Sequence, residues 1–168
     1  MNYLYAPWRG SYVTKKANKQ ETTDHGCVFC AKLAESNDAQ NFILKRFTHN
    51  AIILNLFPYN AGHLMIIPLT HLTRPANLSL AARNELMELT SQSIALLETD
   101  LGAEGVNVGM NLGKPAGAGI PAHLHMHVVP RWNGDTNFMP IIAQTKPISL
   151  DLNLVYSDLK PLFDKIKV

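Results

Sequence analysis

Two runs of aliphatic residues, separated by a turn-forming segment, stand out in the first half of the chain. Residues 51–56 and 63–68 are rich in Ile and Leu, and residues 58–62 between them read Pro-Tyr-Asn-Ala-Gly. Short apolar runs bounded by Pro, Asn and Gly are typical of buried strands joined by a turn. The pattern therefore predicts an antiparallel hairpin, with a further strand over residues 42–46 before it.

The longest helix is predicted over residues 80–99. Its apolar positions recur at spacings of three to five and form one broad face: Leu86, Leu89, Ile94 and Leu97. Residues 77–79 read Asn-Leu-Ser and offer an N-cap directly before the first apolar residue. This element is the strongest local helical signal in the sequence.

Shorter patterns fill the rest of the chain. They predict strands over residues 106–111 and 124–130, a Gly- and Pro-rich loop over residues 113–121, a short helix over residues 32–35 and a helical stretch over residues 150–166. Together these elements indicate an α+β fold with an antiparallel sheet of about five strands, one long helix and one or two short helices. We divide the chain into an N-terminal arm and loop (1–24), one central domain (25–145) and a C-terminal helical tail (146–168).

The composition agrees with a single globular domain. Of 168 residues, 46% are hydrophobic and 17% are charged, and the net charge is +2. These values exclude an intrinsically disordered chain, and the near balance of charge predicts no nucleic-acid partner. Residues 1–16 lack the pattern of a secretory signal, and no apolar run has the length of a membrane span. We expect a cytoplasmic protein without a membrane partner.

Three histidines carry the clearest chemical signal. His123, His125 and His127 alternate with the apolar residues Leu124 and Met126. Because side chains alternate along a strand, the three imidazoles project from one face, about 6–7 Å apart, while the apolar residues enter the core. One alternative is a solvated polar face without function. Another is a metal site built from all three imidazoles, but their span is too wide for one ion without distortion.

The same histidines also suit phosphorus chemistry. A neutral imidazole can attack a phosphoryl group and hold it covalently, while flanking donors stabilise charge on the phosphate oxygens. Residues 113–120 precede the histidines and read Gly-Lys-Pro-Ala-Gly-Ala-Gly-Ile. Glycines allow a close approach of the backbone, and its N–H groups make an anion-binding turn. The combination predicts a site that binds and transfers a phosphoryl-containing group.

At this point the sequence resembles the histidine triad family of nucleotide hydrolases and transferases. The hallmark His-x-His-x-His is followed here by Val128-Val129, and the resemblance covers most of residues 27–140. Residues 6–9, 58–63 and 130–138 look like the bacterial diadenosine tetraphosphate phosphorylase-like branch. The resemblance implies cleavage of dinucleoside polyphosphates through a nucleotidyl-histidine intermediate.

Site residues carried over from the resemblance fall into two groups. The implied catalytic residues are His125 as nucleophile, with His127, His123 and His63 around the phosphate. The implied nucleotide-binding residues are Asn55 at the ribose, Ile53 and Phe29 at the base, and Asn111, Gly119 and Ala118 near the phosphate. A turn-initiating role is the alternative for Asn55, and plain core packing is the alternative for Ile53 and Phe29.

One departure from the family leaves the acceptor open. Many members carry a Gln or Ser side chain shortly before the first triad histidine, where it donates to the scissile phosphate. This chain has Ala118, Gly119 and Ile120 in that stretch, so only backbone donors remain. Both phosphate and water stay open as acceptors. The products are ADP and ATP with phosphate, or AMP and ATP with water.

Two cysteines raise the question of a metal. The spacing Cys27-x-x-Cys30 serves zinc, redox chemistry or neither. Zinc-binding relatives in the family imply a closed structural site in which His71 and His123 join the two thiolates. The alternative is a pair of buried cysteines that act as small hydrophobic residues, with His123 bonded to the backbone.

Two further alternatives concern the reaction and the assembly. A nucleoside phosphoramidase of the same family is the second enzymatic hypothesis, and residues 132–138 argue against it. A nucleotide-binding module without catalysis is the third hypothesis. The resemblance also implies a homodimer in which two five-stranded sheets join and the arm or tail crosses to the partner.

Overall fold

The computed structural model describes residues 26–136, 138, 142 and 151–168. The predicted arm over residues 1–24 lies outside the described residues. The strands are β1 (Ile43–Arg46), β2 (Asn50–Leu54), β3 (Leu64–Pro68), β4 (Gly105–Gly109) and β5 (Met126–Arg131). The α-helices in this part are α1 (Val28–Ala34), α2 (Leu80–Thr99) and α3 (Leu152–Phe163).

The strands form one antiparallel sheet in the order β1-β2-β3-β5-β4. This architecture confirms the predicted α+β fold, the hairpin of β2 and β3, and the long helix over residues 80–99. The side chain of Ser79 accepts a hydrogen bond from the Ala82 N–H and caps α2 as expected. No helix among the described residues is long and apolar enough to cross a membrane.

Three element boundaries differ from the predictions in ways that matter for the site. Helix α1 begins at Val28, so Cys30 lies in its first turn instead of before the helix. Strand β4 ends at Gly109, which places Asn111 in the following loop. Strand β5 begins only at Met126, because the Leu124 N–H donates to the Leu72 carbonyl, 2.7 Å away, outside the ladder.

Both faces of the sheet are covered near its centre. The larger apolar cluster lies on the face that packs against α2 and α3, and it includes Leu124, Met126 and Val128 as the histidine alternation predicts. The smaller cluster lies on the opposite face under α1, with Phe29 and Ile53 among its members. We call this second face the site face, because the triad histidines project from it.

One row of side chains crosses all five strands on the site face. Cross-strand pairing joins Ile43 to Ile53, Ile53 to Met65, Met65 to His127 and His127 to Gly109. Residues directly opposite in a ladder share a face. The row therefore runs from buried apolar residues on β1 and β2 to an imidazole and an open glycine on β5 and β4.

The C-terminal helix covers the β1 edge of the sheet. Lys45 donates to the carbonyls of Asp164 and Ile166 just beyond α3, at 2.7 and 2.6 Å. Leu159 and Phe163 are buried in the larger core cluster. The helical part of the predicted tail is thus packed into the same core as the sheet.

Candidate active site

A glycine turn delivers His63 to the site face. Gly62 has a φ of 75°, which favours glycine, and a Cβ there would meet Leu101 at 2.6 Å. The His63 N–H donates to the Asn60 carbonyl at 3.2 Å and closes the turn between β2 and β3. His63 is thereby held against the triad, as the sequence predicts.

The middle histidine has one ring nitrogen engaged and the other available. His125 Nδ1 lies 2.8 Å from the backbone carbonyl oxygen of His123. A carbonyl oxygen only accepts, so Nδ1 carries the proton and the lone pair of the neutral ring is on Nε2. His125 therefore has the tautomer of a nucleophile whose attacking atom is Nε2.

A chain of hydrogen bonds fixes the tautomer of His127. The Tyr59 N–H donates to His63 Nδ1 at 3.1 Å, so a neutral His63 carries its proton on Nε2. That nitrogen lies 3.0 Å from His127 Nδ1, which accepts the bond. His127 is left with its proton on Nε2, where it can donate to an oxygen of a substrate.

Burial keeps these imidazoles neutral. Desolvation, followed by the proximity of His127 and His125, lowers the pKa of His63 from 6.5 to about 3. Desolvation and His125 lower the pKa of His127 from 6.5 to about 4. Burial also lowers the pKa of His125, opposed by its hydrogen bond to the His123 carbonyl. The tautomers assigned above therefore apply at neutral pH.

Phe29 and Ile53 form an apolar wall on the α1 side of the triad. The Phe29 ring centroid lies 5.4 Å from that of His125 and 5.5 Å from that of His123. Both residues are buried, in the cluster under α1. Core packing thus accounts for both side chains in this structure, while the place of Phe29 beside His125 is also compatible with its predicted contact with the base.

Asn55 makes the hydrogen bond of a turn-initiating residue, which is the alternative to its predicted contact with the ribose. Its Oδ1 accepts from the Phe57 N–H at 3.0 Å, which defines a turn stabilised by its own side chain. That bond directs Nδ2 toward His63, at 3.3 and 3.5 Å from the two ring nitrogens. The near equality of these distances places the amide over the imidazole, next to the site.

The backbone N–H groups of the glycine loop bond within the loop. The N–H groups of Ala116, Gly117 and Ala118 all donate to Gly113 or Lys114. The Ala118 N–H is therefore turned into the loop. The Gly119 N–H makes no hydrogen bond to another described residue, and its contact with phosphate stays a prediction.

Two further residues of the site were not singled out from the sequence. Arg131 and Asp135 form a two-bond ion pair at the end of β5, and Asp135 also accepts from Asn60. The Arg131 hydrogen bond holds the pKa of the Asp135 carboxyl well below its usual range. Arg131 lies four residues after His127, and Asp135 lies four residues after Arg131. This spacing is the sequence signal that could have pointed to the pair. The pair ties the β2–β3 turn to the end of β5.

The predicted metal ligands converge. One donor atom from each of Cys27, Cys30, His71 and His123 lies within 4.8 Å of all the others. The Nδ1 atom of His123 is 3.3 Å from the Cys27 sulfur, and that of His71 is 3.2 Å from the Cys30 sulfur. Tetrahedral zinc separates its sulfur and nitrogen ligands by about 3.3–3.8 Å at ordinary bond lengths. The donor set and its spacing therefore fit a tetrahedral metal ion.

The second nitrogen of His123 supports the same assignment. Its Nε2 lies 2.9 Å from the Pro68 carbonyl, which leaves Nδ1 deprotonated and aimed at the thiols. Both ring nitrogens of His123 are therefore engaged. Its side chain belongs to the cluster, and its backbone carbonyl accepts the hydrogen bond from His125. Its predicted catalytic role stays a prediction.

Comparisons with known proteins agree with this site. A family profile described as HIT domain matches residues 36–134. An AP-4-A phosphorylase from Mycobacterium tuberculosis is 34% identical over 147 residues, covering 86% of this chain and 75% of that protein. A bis(5'-nucleosyl)-tetraphosphatase (asymmetrical) from Schizosaccharomyces pombe is 29% identical over 86 residues, covering 51% of this chain and 47% of that protein.

A solved structure shares the fold. The crystal structure of a Zn-bound histidine triad family protein from Mycobacterium smegmatis superposes with a TM-score of 0.66 at 28% identity. The match covers 83% of this chain and 94% of that chain.

Proposed function

The chain belongs to the HIT domain family, and from this premise we propose that it cleaves dinucleoside polyphosphates, diadenosine tetraphosphate above all, through a nucleotidyl intermediate on His125. The observation that carries the proposal is the hydrogen bond from His125 Nδ1 to the His123 carbonyl, which leaves Nε2 as the free nucleophile. The related AP-4-A phosphorylase and tetraphosphatase act on substrates of this class, as their names state.

In the first step, His125 Nε2 attacks the α-phosphorus of the substrate. The new N–P bond forms as the bond between that phosphorus and the bridging oxygen breaks. The departing polyphosphate leaves as an anion, and His127 stabilises its oxygen with a hydrogen bond from Nε2–H while His127 Nδ1 accepts from His63 Nε2–H. We assign the Gly119 N–H to a nonbridging oxygen of the same phosphorus.

In the second step, an acceptor oxygen displaces His125 from the phosphorus. The proton of the acceptor passes to solvent, and His125 returns to its neutral state with the lone pair on Nε2. The name of the Mycobacterium tuberculosis relative favours phosphate as the acceptor, which gives ADP and ATP. Asn55 lies beside His63 and is assigned to the ribose, and Asn111, assigned to the phosphate, lines the cavity next to His127.

We assign a structural zinc ion to Cys27, Cys30, His71 and His123. The donor geometry and the Zn-bound relative from Mycobacterium smegmatis support this assignment. The ion supplies a rigid crosslink between α1, the segment after β3 and the start of the triad. Four protein ligands close the site, so the ion has no open position for a reacting group.

We also propose a cytoplasmic homodimer. Strand β4 is an edge of the sheet whose residues from Asn107 to Gly109 are exposed, whereas α3 covers the β1 edge. An uncovered edge favours pairing with a second sheet. The two free thiols in the cluster suit a reducing compartment. Sedimentation equilibrium tests the dimer, and cell fractionation tests the location.

A product assay on diadenosine tetraphosphate tests the activity and identifies the acceptor. The purified protein is incubated with substrate in the presence and absence of inorganic phosphate, and the nucleotides are separated. ADP and ATP that appear only with phosphate support phosphorolysis. AMP and ATP in both conditions establish a hydrolase of the same mechanism. Absence of turnover in both conditions contradicts the proposed substrate and directs the assay to nucleoside phosphoramidates.

A further inference from the structure

A cavity of about 400 Å³ opens on the site face at the His127 end of the triad. Its volume is in the range of small-molecule sites. The lining residues come from β4, β5 and the β2–β3 turn, and include Tyr59, Asn107, Gly109, Asn111, His127 and Arg131.

The pleat of the sheet explains why these residues meet. Gly109 lies opposite His127 and Asn107 lies opposite Val129 in the ladder of β4 and β5. Side chains two residues apart share a face, so Arg131 follows His127 and Val129 along the same surface. Gly109 has no side chain, and a Cβ there would meet no atom within 4 Å. The glycine thus leaves room for a ligand directly beside the His127 imidazole, which donates a hydrogen bond from Nε2.

The lining residues suit an anionic ligand. The described lining includes Arg131, His127 and several amide side chains, and no carboxylate. Asp135 lies nearby, but its oxygens accept bonds from Arg131, Asn60 and the Trp132 N–H, and only 8% of its side chain is exposed. The Arg131 side chain is 43% exposed, and it bonds Asp135 through Nε and Nη2 and Asn107 Oδ1 through Nη1, so the remaining N–H of each Nη is the group that can meet a ligand. Phosphate oxygens match this set of donors.

The cavity also has an aromatic wall. The Tyr59 ring is held beside His63, with centroids 4.8 Å apart, yet 56% of the residue is exposed. A half-exposed ring next to phosphate donors is a platform on which a nucleobase can stack. The buried wall formed by Phe29 lies on the other side of the triad, against His125.

We propose that this cavity binds the leaving part of the substrate, a nucleoside polyphosphate, with Arg131 contacting its phosphates and Tyr59 stacking on its base. The inference rests on the proposed function and extends it, because it assigns a subsite of its own to the leaving group that His127 stabilises. The transferred nucleotide then lies toward Phe29 and the leaving nucleotide toward Tyr59. The site selects substrates that carry a second nucleoside over those with a small leaving group.

Gly109→Leu tests the subsite by filling the cavity, with Gly109→Ala as the matched control. The measurement is kcat/KM for diadenosine tetraphosphate, divided by kcat/KM for adenosine 5'-phosphoramidate, which transfers the same adenylyl group and loses only ammonia. Both assays contain inorganic phosphate. We expect Gly109→Leu to lower this ratio by about tenfold or more, while Gly109→Ala keeps it within about threefold of the wild-type value.

Tyr59→Ala provides a second test that does not depend on the edge strand. Loss of stacking lowers the same ratio by about tenfold, and Tyr59→Phe retains it. A ratio that stays at the wild-type value in both Gly109→Leu and Tyr59→Ala overturns the subsite and leaves the proposed function intact. This holds whether the two activities fall equally or do not change. Wild-type protein that cleaves neither compound overturns the proposed function, and the subsite with it.

Discussion

The Nδ1 atom of His125 lies 2.8 Å from the carbonyl oxygen of His123, whose own ring is enclosed by two thiols and the Pro68 carbonyl. One residue therefore belongs to the metal cluster by its side chain and orients the nucleophile by its backbone. The position of the His123 carbonyl decides which nitrogen of His125 is free. The Cys/His cluster and the tautomer of His125 are coupled through this single residue.

Cys30→Ser is expected to remove the metal and destabilise the fold. The sulfur is the ligand atom closest to His71, and structural metal sites contribute directly to folding free energy. We expect one zinc per chain in the wild-type protein and less than about a tenth of that in the variant, with a lower Tm. Elemental analysis and thermal unfolding provide the measurements. The matched control is His49→Ala, a histidine outside the cluster, and equal zinc content in both variants would contradict the assigned ligands.

His127→Ala is expected to slow the reaction in proportion to the negative charge on the departing oxygen. His127 Nε2 carries the only proton that the relay from Tyr59 and His63 directs toward the substrate in the described part of the site. A preorganised hydrogen-bond donor at a developing charge contributes about 10²–10³-fold. We expect a loss of about 100-fold in kcat for diadenosine tetraphosphate, and a smaller loss for the 4-nitrophenyl ester of AMP, whose leaving group spreads its charge over the nitro-substituted ring. Equal losses for the two substrates would exclude His127 as the donor to the leaving oxygen.

Acid is expected to destabilise the protein through His63. Its pKa is 6.5 in the unfolded chain and about 3 in the fold, so the unfolded state binds the extra proton between these values. The stabilisation is therefore complete above pH 6.5 and is lost as the pH falls toward 3. One proton corresponds to a slope of about 1.4 kcal/mol per pH unit. Urea unfolding between pH 7 and 4 gives the free energy of unfolding as a function of pH. Its slope should be smaller in His63→Gln than in the wild-type protein by about this amount. Identical slopes in the two proteins would refute a neutral buried His63.

Substitutions at Asn55 are expected to separate its turn contact from a contact with the ribose. Asn55→Asp keeps the acceptor for the Phe57 N–H, whereas Asn55→Ala removes it and costs about 1 kcal/mol of unfolding free energy. If Asn55 also binds the ribose, Asn55→Ala loses more activity on a ribonucleotide substrate than on its 2',3'-dideoxy analogue. Equal losses on both substrates would leave only the turn role.

Much of this fold can be predicted from the sequence because its signals are local. The capping serine at position 79 and the apolar face that follows it define α2 to the residue. The alternation from His123 to Val128 predicts which side chains enter the core, even though the ladder begins only at Met126. Side chains alternate between the two faces even where strand pairing is interrupted, because the alternation depends on the extended backbone and not on the partner strand.

The parts that could not be predicted depend on residues distant in sequence. Nothing local indicates that the Tyr59 N–H sets the tautomer of His127 through His63, because this relay joins a turn to a strand 64 residues away from His63. The cavity at Gly109 likewise exists because β4 pairs with β5 in one register. The cluster of Cys27 with His123 was anticipated only from the family resemblance, since the spacing of two cysteines alone fits several chemistries.

Trapping the covalent intermediate tests the central claim most directly. The protein is mixed with adenylyl-labelled diadenosine tetraphosphate, quenched within milliseconds in alkaline denaturant, digested and sequenced by mass spectrometry. We predict an adenylyl group on His125 that survives base and is released by mild acid, as an N–P bond requires, and no label in His125→Ala. Adenylylation of another residue, or full turnover by His125→Ala, would contradict the account.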